Sequence, residues 1–307
     1  MLLVDIAVAD AYGAGFEFKD DEFIQKNNNL YYLPHALSSM NSGSYTDDTQ
    51  MSIAIAEVVQ AYREEAANRL RAPITKLDIA NAFVRCFKRD PRETYAKGFY
   101  KFLCGVETGQ QFLDEIKPDS TRSGAAMRAL PGGIFASVFD VVEFSMLQAS
   151  VTHDTPEGRD SASAAALMFH YCYYALGPNK DLPYFLCRHI SGYDWYSDWT
   201  GRVPCEGIAC VQAAVTALKR AKEPNLLLQT CIEFGGDTDT VAAIAYGAGM
   251  QSRELGWMRS PRVFPENLYQ GLEGGIQYQQ LLRELSYKFQ IPERGTRIPS
   301  KWAGEKT

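Results

Sequence analysis

TDDTQMSIAIAEVVQAY, residues 46–62, joins a cluster of oxygen-bearing side chains to a long apolar repeat. Apolar residues recur every three or four positions, as at Met51, Ile55 and Tyr62, which is the spacing of an amphipathic helix. One side-chain oxygen is enough to cap the first turn of such a helix. The adjacent acids Asp47–Asp48 exceed that need, so the start of this helix is a candidate ligand site.

The same helical spacing returns along the rest of the chain. Predicted helices run from an Asp78 cap to Asp90-Pro91, from an Asp160 cap through Tyr171, from Ile208 to Leu218, from Val241 to about Trp257, and from about Leu272 to Phe289. Runs of alternating β-branched residues that end in an Asn-Gly type of turn do not occur in the sequence. These patterns predict an all-α fold, and without a linker or a solenoid repeat we expect one domain over residues 1–307.

Composition and charge exclude several classes of function. The 307 residues are 46% hydrophobic, with a formal net charge of -6. Nucleic-acid-binding domains usually carry clustered Lys and Arg, so no sequence-specific binding to DNA or RNA is expected. The first ten residues, MLLVDIAVAD, lack a basic segment and contain two aspartates, which argues against a signal peptide or membrane span and for a cytoplasmic protein. The seven cysteines contain no CxxC pair and are expected to be reduced.

A second acidic motif, GGDTDT at residues 235–240, has the same construction as the first. Helix capping explains either motif alone, and Asp47 with Gln50 three residues later resembles a capping box. Together the motifs supply four carboxylates, and four like charges at close range are strongly unfavourable unless a cation compensates them. If the two helix starts converge, oxygen ligands without His or Cys favour Mg²⁺, Mn²⁺ or Ca²⁺, and neighbouring aspartates can bridge two ions.

Three motifs, in order along the chain, resemble the ADP-ribosylglycohydrolase family, whose members include the dinitrogenase reductase-activating glycohydrolase. They read ADAYGAGFE at residues 9–17, TDDT at residues 46–49 and GGDTDT at residues 235–240. Their order and the length of the chain match the family. The resemblance implies an all-α, compact orthogonal bundle of many helices with a binuclear metal site in a loop-lined cleft. It also implies hydrolysis of the bond between C1 of ADP-ribose and a modified target.

The resemblance further implies two Mg²⁺ ions, which Mn²⁺ can replace. The metal ligands carried over onto this sequence are Thr46, Asp47, Asp48, Asp237, Asp239 and Thr240. Glu17 matches an acidic residue that assists the attacking water in some members, and it forms the catalytic set with Asp47 and Asp48. The alternative for Glu17 is a solvated place in the charged run 17–22. Cleavage of a ribosyl bond passes through an oxocarbenium-like state, which an activated water and protonation of the leaving group assist.

The loop PDSTRSGAAMRALPGG, residues 118–133, lies where the family has a Gly-Asn-Gly type of loop that holds the diphosphate with backbone amides. Here Arg122 and Ser123 precede Gly124, and we expect Ser123 and Gly124 to contact the substrate. Arg122 either offers its guanidinium to a phosphate or points into solvent. Asp119 is a candidate contact for a leaving guanidinium, with surface helix capping as the alternative.

Three further residues complete the expected substrate contacts. His153, in the loop VTHDTPEG, falls where the family has a His near ADP-ribose, with structural hydrogen bonding as the alternative. The loop YDWYSDWTGR, residues 193–202, holds four aromatic side chains, which either stack on adenine, as expected for Trp199, or anchor the loop in the core. Gly236 of the last motif is the third.

The sequence therefore predicts a metal-dependent monomeric hydrolase that removes ADP-ribose from a mono-ADP-ribosylated target. An arginine-linked target is favoured because a protonated guanidine departs readily, whereas a serine-linked target needs a general acid. Serine-linked and nucleic-acid-linked targets are alternatives. Two other functions stay open at this point: a catalytically inactive, crystallin-like member of the same fold, and a metal-dependent phosphohydrolase that acts on the diphosphate.

Overall fold

The computed structural model describes residues 1–67, 73–258, 260 and 262–273. This part of the chain is all-α, as predicted, and pairing between extended residues in it is limited to three isolated bridges. Its α-helices are α1 (Leu2–Gly13), α2 (Asp21–Asn27), α3 (Asp47–Ala67), α4 (Lys76–Arg89), α5 (Lys97–Gly105), α6 (Gly109–Glu115), α7 (Gly124–Met127), α8 (Val138–Ala149), α9 (Pro156–Tyr173), α10 (Leu182–His189), α11 (Gly207–Arg220), α12 (Pro224–Glu233), α13 (Thr238–Gly249) and α14 (Glu266–Gly271). Short 3-10 helices span Leu130–Ile134 and Asn179–Asp181.

Two helices begin earlier than predicted because a threonine caps each of them. The prediction that Asp78 caps α4 is wrong: the Thr75 side chain accepts from the Asp78 N–H at 3.2 Å, and the Asp78 carboxylate accepts from the Thr75 N–H at 2.8 Å. The Thr155 side chain caps α9 ahead of a proline, so Asp160 lies inside that helix. A hydroxyl cap, a reciprocal carboxylate and a first-turn proline are all favourable at helix starts.

Two helices are predicted towards the C-terminus, from Val241 to about Trp257 and from about Leu272 to Phe289. Helix α13 ends at Gly249, and turns rather than helix lead from there to Trp257. The helix predicted from about Leu272 to Phe289 lies outside the described residues apart from its first two positions, which are not helical. No helix in the described ranges has the length and apolar character needed to cross a membrane. The single domain over residues 1–307 stays a prediction.

Helices α1 and α13 pack closely along the core and bring the two ends of the sequence together. Every residue of both helices is buried. Their closest approach is at Gly13, where an added Cβ would lie 2.4 Å from the Asp239 Cα. The Thr238 hydroxyl donates to the Gly13 carbonyl at 2.9 Å across the same contact. Only a residue without a side chain fits there, so Gly13 sets the distance between the first and last motifs.

Helix α1 also caps the start of α3. Asp10 is fully buried, and its carboxylate accepts from the N–H and hydroxyl of Thr46 at 2.9 and 2.7 Å. It accepts likewise from the N–H and hydroxyl of Thr49 at 3.0 and 2.5 Å. These bonds satisfy first-turn amides that have no partner within their own helix. The Asp10 carboxylate of α1 therefore caps α3 in place of a side chain from the start of α3.

The capping box predicted between Asp47 and Gln50 does not form. Helix α3 begins at Asp47 itself, and the Gln50 side chain accepts from the Tyr95 hydroxyl at 2.6 Å. Thr46 precedes the helix, and its Oγ1 accepts from the Asp48 N–H at 3.2 Å. The carboxylates of Asp47 and Asp48 are thus left out of the capping of α3.

Gly13→Ala should destabilise the protein, because its Cβ would force α1 away from α13. We expect the free energy of unfolding to fall by about 3 kcal/mol in urea titrations, as for other overpacked sites. Gly98→Ala is the matched control, since it adds the same atom to a helix where nothing lies within 4 Å. That variant should be neutral or more stable by about 0.5 kcal/mol. Equal effects of the two variants would contradict the role of Gly13.

Asp10→Ala should cost about 3 kcal/mol of unfolding free energy, because it leaves buried donors at the start of α3 without an acceptor. Asp20→Ala is the control: Asp20 caps α2 at the surface by accepting from the Phe23 N–H at 2.8 Å. Loss of an exposed cap costs only about 1 kcal/mol. Urea titrations compare the two variants, and a smaller loss for Asp10→Ala than for Asp20→Ala would refute capping between helices.

Candidate active site

The three motifs meet at one cleft of about 500 Å³. Its walls come from the end of α1, the starts of α3 and α13, and the loops before α7 and α9. The predicted site residues that line this cleft are Glu17, Thr46, Asp47, Asp48, Ser123, Gly124, His153, Asp237, Asp239 and Thr240. The two acidic helix starts therefore converge, as the hypothesis of a shared site requires.

Three predicted substrate contacts do not line this cleft: Asp119, Trp199 and Gly236. Asp119 is exposed, and its backbone pairs with that of His153. Trp199 packs against the core, and its Nε1–H donates to the Gly201 carbonyl at 2.9 Å. The roles of these residues toward a substrate stay predictions.

Gly235 and Gly236 form the turn that precedes α13. Both have positive φ, +66° and +85°, and a Cβ on Gly236 would lie 1.9 Å from the Val203 carbonyl oxygen. The Val203 N–H donates to the Gly235 carbonyl, and the Asp237 N–H donates to the Val203 carbonyl, both at 3.0 Å. The turn needs glycine for its φ values and for this close approach. It fixes the position of Asp237 at the entrance to α13.

The carboxylate of Asp237 does not cap its own helix. Its Oδ2 instead accepts from the Ser123 hydroxyl at 3.1 Å and from the Cys210 thiol at 3.5 Å. In the first turn of α13, Asp239 Oδ1 accepts from the Thr240 N–H at 3.0 Å. Side chains from two other segments therefore orient Asp237 toward the cleft.

Threonine side chains contact the acidic pair at the start of α3, Thr94 at Asp47 and Thr240 at Asp48. The Asp47 N–H donates to the Thr94 hydroxyl at 2.9 Å. Asp48 is 3% exposed, and its Oδ1 is buried without any hydrogen-bond partner. Most buried polar atoms in proteins have a partner, so this oxygen is an exception. It is an acceptor suited to a cation.

The acidic groups of the cleft lack basic partners. No Lys or Arg within the described ranges forms an ion pair with Asp10, Glu17, Asp47, Asp48, Asp237 or Asp239. Burial raises the pKa of Asp47 to about 7, and the charges of Asp10 and Asp237 add to the effect. Burial and neighbouring carboxylates also raise the pKa of Asp48 and of Asp239 well above the usual range.

Glu17 belongs to the same electrostatic group. It is partly buried and lines the cleft, unlike the exposed acids Asp20 and Asp21 that follow it. Burial, followed by the charges of Asp237 and Asp47, raises its pKa to about 8. Such a pKa makes a carboxyl group able to exchange protons near neutral pH.

The donors of the cleft do not form a closed chelating group. In the described part of the chain, no three His, Cys, Asp or Glu side chains are gathered as a ready-made metal site. The donors are instead divided between the starts of α3 and α13, with the hydroxyls of Thr46 and Thr240 among the carboxylates. A donor set made of oxygen alone suits hard cations rather than zinc or copper.

The loop before α7 uses its amides within the protein. The Ser123 N–H donates to the Cys205 carbonyl at 2.8 Å, and the Arg122 N–H donates to the Ser120 hydroxyl at 3.2 Å. Neither of these two amides is free for a diphosphate, and the substrate contacts of Ser123 and Gly124 stay predictions. Arg122 is exposed and lines the cleft, so its guanidinium is the group it can offer to a ligand.

His153 lies beside Gly124 on the wall of the cleft. The side chain is 8% exposed, and its Nδ1 lies 2.7 Å from the Thr152 hydroxyl. Burial, followed by the positive charge of Arg128, lowers the pKa of His153 to about 3. The ring is therefore neutral at physiological pH.

Sequence reasoning missed several residues that shape the site. Asp10 stands in the quoted motif ADAYGAGFE and interrupts an apolar helix, which is a signal that a buried carboxylate has a function. Thr94, Cys210 and Val203 carry no such signal, because each reaches the site from a distant segment through a single contact.

Comparisons with known proteins show the family of the chain. The profile of the ADP-ribosylglycohydrolase family matches residues 3–289. ADP-ribosylhydrolase ARH3 of Mus musculus is 25% identical over 72% of this chain and 74% of its own, and that of Homo sapiens is 27% identical over 72% and 76%. A solved structure described as an ADP-ribosylglycohydrolase-related protein complex has a similar fold, with a TM-score of 0.65, 17% identity and 94% coverage of both chains.

The family match includes all three motifs and every segment that lines the cleft. The curated relatives carry the same activity in their names, which points to a glycohydrolase enzyme. On this evidence, the chain belongs to the ADP-ribosylglycohydrolase family.

Proposed function

We propose that the protein is a divalent-metal-dependent hydrolase that removes ADP-ribose from mono-ADP-ribosylated targets, with arginine-linked targets favoured. The observation that carries this proposal is the buried, unpartnered Oδ1 of Asp48 among carboxylates without basic partners. The proposed ligands of two Mg²⁺ ions, or of Mn²⁺ in their place, are Thr46, Asp47, Asp48, Asp237, Asp239 and Thr240.

The donor set fits a hard divalent cation. All six proposed ligands present carboxylate or hydroxyl oxygen. Mg²⁺ usually keeps several water molecules and takes one or two protein carboxylates, so donors divided between two helix starts suit it. When bound, the cations would neutralise the carboxylates and polarise a water molecule and the ribose hydroxyls.

Glu17 is the proposed proton acceptor. It lines the cleft beside the proposed ligands, and its raised pKa, about 8, lies near the working pH, where a general base is most effective. A cation among its neighbours would lower that pKa through the opposite Coulombic effect and favour the ionised form. Glu17 would then accept a proton from the water that attacks C1 of the ribose.

The protonation state of His153 decides whether this residue can protonate the leaving group. Because the ring is neutral at physiological pH, it is not a source of protons for a departing alkoxide. A serine-linked target needs such a donor, whereas arginine leaves as a guanidine that is readily protonated. The arginine linkage is favoured on this chemistry of the leaving group, and serine-linked and nucleic-acid-linked targets, whose acid would be a carboxyl group such as Glu17, are the alternatives within the same activity.

The products of the reaction distinguish the proposed hydrolase from the two other functions. A crystallin-like member would bind ADP-ribose or nothing, and would release no product. A phosphohydrolase that acts on the diphosphate would release AMP and leave a ribose phosphate on the target, so no intact ADP-ribose would appear. The presence of all six proposed ligands together with Glu17 favours the hydrolase over the inactive member.

The substrate class is tested with arginine-, serine- and nucleic-acid-linked mono-ADP-ribose, each incubated with Mg²⁺ or with a chelator. We expect free ADP-ribose from the arginine-linked substrate with Mg²⁺ and a loss of release with the chelator, both measured by chromatography. No release from any substrate, or equal release with the chelator, would sink the proposed catalytic role of the metal.

Asp239→Asn and Asp47→Asn should lower the rate of release about a hundredfold or more while the protein stays folded, because each removes a proposed ligand charge. Asp114→Asn makes the same change on the exposed surface of α6 and should keep the wild-type rate. Circular dichroism checks the fold of all three variants. Wild-type turnover by Asp239→Asn would remove that residue from the site.

Without divalent cations, the protein should lose stability as the pH rises from 6.5 to 8.5. The pKa values of Asp47 and Glu17, about 7 and 8 in the folded protein, lie above their usual values near 4. Their protonated forms stabilise the folded state at low pH, and that contribution disappears as the pH passes through the raised values. We expect a fall of about 2 kcal/mol in the free energy of unfolding from urea titrations in chelator.

Mg²⁺ should reverse this loss, and more strongly at pH 8.5 than at pH 6.5, because it binds the ionised carboxylates. At a concentration a hundredfold above its Kd it should add about 2.7 kcal/mol. Potassium chloride at matched ionic strength is the control, and Glu17→Gln should flatten the pH dependence. Stability that is constant or rises over this pH range in chelator would contradict the proposal.

A further inference from the structure

Arg128 is a buried cation without a carboxylate partner. The residue is 2% exposed, and it forms no ion pair with any acidic group within the described ranges. It donates to the Gln148 side chain at 2.7 Å, the Gly124 carbonyl at 2.6 Å and the Thr152 hydroxyl at 2.8 Å. A buried guanidinium held by neutral acceptors is unusual, because buried charges are normally paired.

The bond between Arg128 and Thr152 fixes the direction of the next one. Arginine has only donors, so the Thr152 oxygen must accept from it. The Thr152 side chain is 5% exposed, and its hydroxyl proton has one acceptor among the described residues, His153 Nδ1 at 2.7 Å. The hydroxyl proton is satisfied within the protein only when Thr152 donates to Nδ1, and Nδ1 then carries no proton. A neutral imidazole with an unprotonated Nδ1 has its proton on Nε2.

The Nε2 atom faces the cleft. His153 lines the cleft, and a Cβ added to Gly124 would lie 3.1 Å from Nε2 and 2.9 Å from Cε1. Nε2 has no hydrogen-bond partner in the described part of the chain, and it is not among the buried unpartnered atoms. An N–H donor in this position can bind a phosphate, hydroxyl or carbonyl oxygen of a ligand.

We propose that Arg128 and Thr152 are positioning residues that hold His153 as a neutral Nε2–H donor to an oxygen of bound ADP-ribose. The ligand in this inference rests on the proposed function, whereas the tautomer rests on the hydrogen bonds alone. The chain of bonds runs from Arg128 through Thr152 to His153 and ends at the substrate. His153 binds the substrate in this arrangement and does not transfer a proton.

The tautomer is measured in long-range ¹H–¹⁵N spectra of the ¹⁵N-labelled full chain without ligand, with His153 assigned by the signal that His153→Gln removes. We expect an unprotonated Nδ1 and a protonated Nε2 in the wild type. Thr152→Val keeps the shape of the side chain but removes the hydroxyl. The fraction of His153 in the Nε2–H tautomer should therefore fall. Thr152→Ser keeps the hydroxyl and should restore the wild-type spectrum.

The same variants are compared for binding of ADP-ribose by calorimetry in Mg²⁺ buffer. Thr152→Val should bind about tenfold more weakly, as expected for the loss of one oriented hydrogen bond, and Thr152→Ser should bind like the wild type. Arg128→Lys keeps the charge but not the fork of donors, and it should give a mixed tautomer and about threefold weaker binding. Thermal unfolding confirms that each variant is folded.

A protonated Nδ1 in the wild type would overturn the proposal, and so would a Thr152→Val variant with unchanged tautomer and affinity. A wild-type spectrum and affinity in Arg128→Lys would remove Arg128 from the chain of bonds. If the wild type binds no ADP-ribose, the proposed ligand and function fail together. The spectra without ligand still decide the role of Thr152 in that case, so the two failures are distinguishable.

Discussion

The burial of several carboxylates in one place, without basic partners, is the constraint on which the rest of the site depends. Their mutual repulsion and desolvation oppose folding, so other contacts must hold the three helix ends together. The close approach at Gly13, the Asp10 cap and the glycine turn beside Val203 do this. The glycine contacts act on backbone, and the Asp10 cap binds the amides and hydroxyls of Thr46 and Thr49. None of the three uses a carboxylate of the proposed ligands, so these acidic groups are placed without using up their oxygens.

Because other groups do the capping, the start of α3 carries more side-chain oxygens than its capping needs. Asp10 and Thr46 satisfy the amides of the first turn, so the carboxylates of Asp47 and Asp48 are not needed for capping. At the start of α13 the same separation holds, because Asp237 occupies the cap position without making a cap bond. In both motifs the helix start supplies a position, and its carboxylates stay available to a ligand.

The sequence predicts the helices of this fold better than their first residues, and it predicts the residues of the site better than their contacts. Apolar periodicity depends on burial along a whole helix, whereas a cap depends on one hydroxyl, as Thr75 and Thr155 show. Convergence of residues 46–49 and 235–240 came from the resemblance, since no local pattern encodes a contact over that separation. Aromatic composition likewise left open whether Trp199 stacks on adenine or anchors its loop, and the structure packs it against the core.

The cleft is lined both by carboxylates and by a buried arginine beside a neutral histidine. Its carboxylates concentrate negative charge that a cation can neutralise, while burial and then the charge of buried Arg128 lower the pKa of His153. A neutral donor orients an oxygen of the ligand without the strong attraction that an imidazolium would exert on a diphosphate. Attraction that is equal in the bound substrate and the transition state lowers KM without raising kcat. In the proposed mechanism, a neutral His153 therefore leaves the rate to groups that would act at the ribose, such as Glu17.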